Sequence, residues 1–491
     1  MSSWRRVVCQ AGALLMAFSL LLGLTACGGG GGDDGDGTAT PGGSVTPAGS
    51  VTPAGSPTPA GSPTPAASGE TVEISMWHSE VAANLDTIQA LTRRFNSSQS
   101  EVKVKLAYQG TEAEEMTKLV ASLGSGQLPD VVYMNEASTQ RLIDSGAIAP
   151  VQDFIDQESY DLSDLDKKAV AYYTLDDKLW AMPFGMIVPL LYYNKIPFRE
   201  VGLDPEKPPK DTEELRQASE KLVKRDSNGN LTRTGLAIDI TAWHLDLVLQ
   251  EHGDLYADNE NGRDGRATEA LFNGPTGQAF FQWWRDMVKD DLAINVGRNL
   301  TNADTFLAMG AGRTAMTVGS SSALRSVVDV LEGGLAQTEV ELGVANQPGV
   351  PGGTGLPGVY SRALWIMNSS PKEEQEAAWK FIKWLMEPEQ QAEWYAGSGF
   401  LPVSISAYEL PAAKEIEAEY PQFKVAAELY LATSSSPATL GPILGPQLDV
   451  SEFINKQIEE MLVGDKDPID AINDAAKDSN EIIAEYNRRI E

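Results

Sequence analysis

Residues 28–69 lack the means to fold, and this confines every packed domain to the chain beyond residue 69. These 42 residues contain no aromatic side chain, no Lys and no Arg. They open on a glycine run with Asp33, Asp34 and Asp36, then repeat Thr-Pro-Ala-Gly-Ser units with prolines at 41, 47, 53, 57, 59, 63 and 65. Such a stretch cannot bury enough apolar surface to offset the entropy of ordering it. It reads as a tether, spanning roughly 35–40 Å as a flexible coil and more where proline stiffens it.

The preceding segment, 1–27, reads as a signal peptide. Arg5 and Arg6 give a basic start, and 11–26 is a run of uncharged, mostly apolar residues. That run falls short of the roughly 20 residues a membrane-spanning helix needs. It ends Leu24-Thr25-Ala26-Cys27 ahead of Gly28, which resembles the bacterial lipobox. The resemblance implies that Cys27 is lipidated and becomes the new N-terminus. Small residues before it admit the signal peptidase, and its thiolate accepts the diacylglyceryl group. A tether behind that lipid would hold a folded domain a short distance off a membrane.

The length of 491 residues suggests two or three domains. With 38 Lys+Arg against 69 Asp+Glu the formal net charge is −31, which argues against a nucleic-acid partner because phosphate backbones demand cationic surface. The hydrophobic share of 42%, with 10 Trp, 14 Tyr and 13 Phe, suffices for large cores. Both cysteines, Cys9 and Cys27, precede the tether. The remainder therefore has no disulfide framework, cysteine zinc site or cysteine nucleophile.

Alternation predicts strands over 71–76 and 102–108, and a short buried strand over 131–134. Leu85, Ile88, Leu91 and Phe95 recur at helical spacing, as do residues within 116–123 and 136–145. This β-α repetition indicates parallel sheet covered by helices. The stretch 180–193 is apolar and strand-like, interrupted by Pro183 and Pro189. Asp226-Ser-Asn-Gly-Asn230 resembles a calcium loop only superficially: its glycine is at the wrong offset and no late Glu closes it, so it reads as a hairpin turn. Ser370, Pro371 and Glu373 read as a capping box ahead of one helix, and Asp467 with Pro468 as the start of the last.

Motifs for chemistry are scarce. His78, His244 and His252 have no metal spacing, so no metal and no cofactor is expected. Gly310-Ala-Gly312 lacks the third glycine of a dinucleotide loop and precedes a strand-like run over 314–318. No Walker loop and no G-x-S-x-G elbow occur. No local pattern nominates a carboxylate pair for glycoside hydrolysis among so many acids, so no enzymatic activity is expected.

Several ordered blocks resemble the extracellular solute-binding proteins of ABC importers, family 1, which includes maltose binders. They are Met76-Trp-His-Ser79, Leu91-Thr-Arg-Arg-Phe-Asn96, Pro183-Phe184 with Leu191-Tyr-Tyr-Asn-Lys195, Val201-Gly-Leu-Asp-Pro205 with Lys207-Pro-Pro-Lys210, Val296-Gly-Arg298, Phe306 leading to Gly312-Arg-Thr-Ala-Met316, Ser320-Ser321, Leu364-Trp365 and Gly399-Phe-Leu-Pro402. The resemblance implies an α/β, two-lobed periplasmic-binding-protein-like (type II) fold with a hinge between lobes and solute in the cleft. It implies one lobe over 71–184 plus 345–398 and another over 185–344 plus 399–491. It also implies a monomer that delivers a small-molecule solute to a membrane permease.

Similarity to the glycerol-3-phosphate-binding branch of that family implies ligand contacts at Glu136, Trp243, Ser320, Ser321 and Ser322. Phe400 stands where that branch has a tyrosine. Glu112 replaces another tyrosine, Met186-Ile187 replace serines, and Gly441 replaces an arginine. Trp77, His78 and Ser79 end the first strand, where cleft contact and packing under the hinge are both open. Tyr360 falls near an expected crossing segment. Without the arginine and paired serines, and with no cation beside Glu136, the resemblance implies a neutral carbohydrate or polyol. The alternatives are a glycerol-3-phosphate or glycerophosphodiester binder, and a ligand-sensing lipoprotein with no transport role.

Overall fold

The computed structural model describes residues 70–123, 126–298, 303–331 and 336–490. The expected signal peptide, Cys27 and the tether lie outside the described residues. In chain order the main strands are β1 (Val72–His78), β2 (Val102–Tyr108), β3 (Val131–Asn135), β4 (Ile148–Ala149), β5 (Met182–Ile187), β6 (Pro189–Asn194), β7 (Lys224–Arg225), β8 (Leu231–Ile238), β9 (Ala293–Asn295), β10 (Thr314–Ser320), β11 (Leu342–Asn346) and β12 (Tyr360–Met367). Two sheets result. The first runs β2-β1-β3-β12-β4 with β5 also paired to β12; the second runs β9-β8-β10-β6-β11 with β7 on β8.

The β-α repetition builds the parallel part of the first sheet, β2-β1-β3. In β1 the side chains of Ile74, Met76 and His78 are buried, while Glu73 faces solvent with Lys103 and Lys105. The helix Ala82–Ser98 lays Ile88, Leu91 and Phe95 on that sheet, at the spacing read from sequence. β12 then enters antiparallel, between β3 and β4. β1 continues two residues past the expected end at 76, because Trp77 and His78 pair with Ala107 and Tyr108.

The apolar stretch 180–193 is two strands, not one. β5 belongs to the first sheet and β6 to the second, so the chain passes from sheet to sheet at Val188. It returns between Asn346 and Tyr360. Pro183 is tolerated inside β5 because the register with β12 shifts there, between Arg362 and Ala363.

The segment after residue 398 packs against parts of both sheets: Leu401 bridges to Met186, while Gln422 in the helix beginning at Pro421 donates to the Leu342 carbonyl at 2.8 Å. Phe400, Tyr408, Phe423 and Tyr430 lie in a first core that also takes side chains from the second sheet, such as Tyr192 and Val344, whereas Leu444 and Val450 lie in a second core. Within the first core Phe184, Trp394 and Phe400 form a column with centroid spacings of 5.2 Å, each pair contributing about 0.5–1.5 kcal/mol beyond area burial. The helices Gln447–Val463 and Pro468–Ile490 close the second core.

The Asp226–Asn230 turn joins β7 to β8 as an antiparallel hairpin, with Asp226 Oδ1 accepting from the N–H groups of Asn228 and Asn230. Ser370 does not cap. Its hydroxyl donates to Asp130 at 2.7 Å, and Pro371 is the residue that precedes the helix Lys372–Leu385. Asp467 does cap, accepting from the Ile469 N–H at 2.9 Å. Among the described residues no helix is long and apolar enough to cross a membrane.

Candidate functional site

Strands of both sheets end at one cavity of about 330 Å³, the position at which open α/β sheets bind ligands. Glu136 and Ala137 follow β3, Thr241 and Trp243 follow β8, and Ser320 ends β10 with Ser322 just after it. Ile187 and Tyr360, which flank the two crossings, complete the wall together with Asp246, Arg362 and the first turn of Gln447–Val463.

Glu136 opens a short 3-10 turn, and its Oε2 accepts from the Ser361 N–H at 3.2 Å. Burial pushes this carboxyl up to about 7; the nearby Asp246 carboxylate adds to the rise, and backbone hydrogen bonds oppose it. Asp246 lies on the helix Trp243–His252, one turn after Trp243. Its Oδ2 accepts from Gln250 Nε2 and from the Tyr360 hydroxyl, both at 2.9 Å, while its buried Oδ1 has no partner among the described residues. Burial pushes it up to about 6, against those two hydrogen bonds. The cavity thus presents two carboxyl groups that titrate near neutrality and act on one another.

Above them stand two aromatic rings. Trp243 is half-buried and meets Tyr360 edge to face, with centroids 5.8 Å apart. Tyr360 is held by the donation to Asp246 and by Gln250 Nε2 donating to its oxygen at 2.7 Å. Ser320 and Ser322 share a hydrogen bond at 2.7 Å.

At the other end of the cavity Arg362 donates through Nη1 to buried Glu80 and to Ser79 Oγ, and through Nη2 to Glu112. Its guanidinium also lies 5.9 Å from the Tyr133 ring and 5.7 Å from that of Phe400. His78 is buried beside it, with Nδ1 accepting from the Glu80 N–H at 3.2 Å. Burial, then Arg362, bring its pKa down to about 4, so the ring is neutral. Behind the cavity, a small void of about 20 Å³ reaches Gln250 and Gly441. Gly441 has φ +73°, and a Cβ there would stand 2.9 Å from Gln250 Nε2.

A sequence model of bacterial extracellular solute-binding proteins matches residues 90–424, from the first long helix into the one beginning at Pro421. The chain belongs to this family. It is 28% identical over 420 residues to the sn-glycerol-3-phosphate-binding periplasmic protein UgpB of Yersinia pseudotuberculosis, covering 84% of this chain and 93% of that one. Among solved structures, UgpB of Mycobacterium tuberculosis in complex with glycerophosphocholine superposes with a TM-score of 0.70 at 20% identity, over 86% of this chain and all of that one. The acarbose-binding GacH receptor of Streptomyces glaucescens gives 0.69 at 20% identity, over 85% and 99%. These structural likenesses establish the two-lobed fold.

Within this solute-binding protein the expected contact residues separate into two sets. Glu136, Trp243, Ser320, Ser322 and Tyr360 line the cavity. Trp77, His78, Ser79, Ser321 and Phe400 are not in its wall. Trp77 packs against the first core, and His78 and Ser79 stand behind Arg362. Ser321 ties the crossing: its N–H donates to the Val188 carbonyl at 2.9 Å, and its hydroxyl accepts from the Val188 N–H at 3.2 Å. Phe400 is fully buried between Trp394 and Gly185, where a Cβ on Gly185 would meet its ring at 2.7 Å.

The cavity also holds residues the sequence reading passed over, chiefly Asp246, Tyr256, Gln447 and Arg362. Asp246 was within reach, because position i+3 from Trp243 shares its helix face. The groups that set the Glu136 pKa include no cation, but Arg362 lines the same cavity. That residue sits in an apolar strand far from Glu136 in sequence, and only the pairing of β12 with β3 brings it in.

Proposed function

We propose that this protein is the lipid-anchored extracytoplasmic component of an ABC importer. In this reading it captures a neutral carbohydrate or polyol between its lobes and delivers it, as a monomer, to a membrane permease. The lobes are assigned on the two sheets, 71–187 with the strand 360–367 in one and 189–346 in the other, with solute closing them about Val188 and 347–359. The protein binds and carries out no reaction of its own.

The observation that carries the solute class is the pairing of Trp243 and Tyr360 with Glu136 and Asp246 in one cavity. Sugars and polyols present apolar C–H faces beside hydroxyl groups, which suit flat rings and carboxyl partners. A carboxyl with a pKa of about 7 can accept a hydroxyl proton or donate its own. The unpartnered Asp246 Oδ1 has room for one further donor. An anionic solute would instead meet Glu112, Glu136 and Asp246 together, and it would find Arg362 already paired with Glu80 and Glu112. The acarbose complex of the GacH receptor agrees in kind with this choice.

A phosphate ester is the second reading, favoured by the name of the 28% identical relative and by the presence of Arg362. Calorimetry against matched pairs, each sugar or polyol beside its phosphate, separates the two. The neutral member is expected to bind at least tenfold tighter. A tenfold preference for the phosphate overturns the assignment.

A further inference from the structure

The donors that hold Glu112 make up an anion site that the chain fills itself. Arg362 and Asn135 are opposed residues in the antiparallel pair of β12 and β3, so their side chains leave the sheet together on one face. Arg362 Nη2 donates to Glu112 Oε1, and Asn135 Nδ2 donates to Glu112 Oε2 at 2.5 Å. Each carboxylate oxygen has its own donor, the two-point arrangement by which arginine sites hold carboxylates and phosphates. Ser138 Oγ donates to Asn135 Oδ1 at 3.1 Å and fixes the amide with its nitrogen towards Glu112.

The two acids around Arg362 differ in position. Glu80 is 3% exposed and is not part of the cavity wall; it balances the guanidinium from behind. Glu112 lines the cavity alongside Arg362 and Asn135, at the first residue of the helix Glu112–Leu123, with its side chain about a third exposed. It therefore stands on the side from which a solute arrives. The buried Arg362 Nε has no hydrogen-bond partner among the described residues.

We propose that Glu112 is a specificity-determining residue: a tethered carboxylate that occupies the Arg362–Asn135 anion site and thereby excludes anionic solutes from the cavity. The proposal rests on the neutral-solute reading above and supplies its mechanism. An incoming phosphate must displace an anion held on the same chain, whose effective concentration is in the millimolar range or above, and must also overcome its charge. A sugar hydroxyl faces neither obstacle and can use the outer lone pairs of Glu112.

The test is calorimetric titration of inorganic phosphate into wild type, Glu112→Gln and Glu112→Ala. Position 112 begins a helix at a site about a third exposed, where alanine is well tolerated. Wild type is expected to bind phosphate at least tenfold more weakly than Glu112→Ala, with Glu112→Gln between them. In 15N-arginine-labelled Glu112→Ala the Arg362 Nε–H resonance should move on phosphate addition. A folded Glu112→Ala without that gain overturns the proposal and leaves the neutral-solute reading standing, provided wild type still prefers the neutral member of each matched pair. A gain without movement of the Arg362 resonance also overturns it, because the effect is then general loss of negative charge. A wild type that prefers phosphate esters overturns both.

Discussion

Replacing Glu136 by Gln should make the solute-free protein progressively more stable than wild type as pH rises from about 4.5 to above 7. Burial raises this carboxyl from 4.5 to about 7, so over that interval the folded protein holds a proton that the unfolded chain has lost. A group raised on folding contributes stability that is complete below its unfolded pKa and lost as pH climbs through its folded pKa. At about 1.4 kcal/mol per pH unit, the displacement from 4.5 to about 7 amounts to about 3 kcal/mol. Cavity water at this part-exposed side chain makes that an upper figure, so about 2–3 kcal/mol is expected. Glutamine keeps an oxygen for the Ser361 N–H, so the low-pH difference between the proteins should be small. The assay is urea unfolding of both proteins, stripped of solute, at half-unit steps from pH 4.5 to 8.5. The difference in unfolding free energy is plotted against pH, so titrations common to both proteins cancel. Because Asp246 faces the same cavity and is itself raised to about 6, the midpoint reports the pair. A difference flat to within about 0.5 kcal/mol across the whole range would show that Glu136 is not held in a desolvated cavity, and the reasoning would fail.

Trp243→Ala should weaken solute binding by about 1–3 kcal/mol in calorimetry, the usual loss for an aromatic anchor; an unchanged affinity removes Trp243 from the site. Cys27→Ala should move the protein from the membrane to the soluble fraction, and continued membrane association would defeat lipidation at that residue. Small-angle scattering should show a smaller radius of gyration at saturating solute than without it. Identical values would count against hinge closure about Val188.

The amount of this structure legible in sequence tracks the range of the forces involved. Local periodicity located β1 to β3 and the helix carrying Ile88, Leu91 and Phe95, because a half-buried strand or helix writes its own spacing. The capping signature placed Asp467 at a helix start. It misread Ser370, whose hydroxyl is taken by Asp130 from another part of the chain. Glu136, Trp243 and Tyr360 came from resemblance and fall on the cavity wall. Phe400 came the same way and is buried under Trp394, since its position depends on a column of rings drawn from three segments. Arg362 carried no local signal at all. An arginine within Tyr-Ser-Arg-Ala-Leu-Trp looks like the polar face of a strand, and only register reveals what it touches.

The left-handed backbone at Gly441 limits how the site can change. The sequence resemblance sets an arginine of the related branch against this glycine, and a single codon change would introduce one. Here any side chain at 441 would strain the backbone and press on Gln250, which itself holds Asp246 and Tyr360. Glu112 carries no such constraint: a change there alters one side chain and leaves the main chain in place. Descendants of this protein selected for anion uptake would therefore take the route through position 112, and an arginine at 441 would stay closed to them until the loop there was rebuilt.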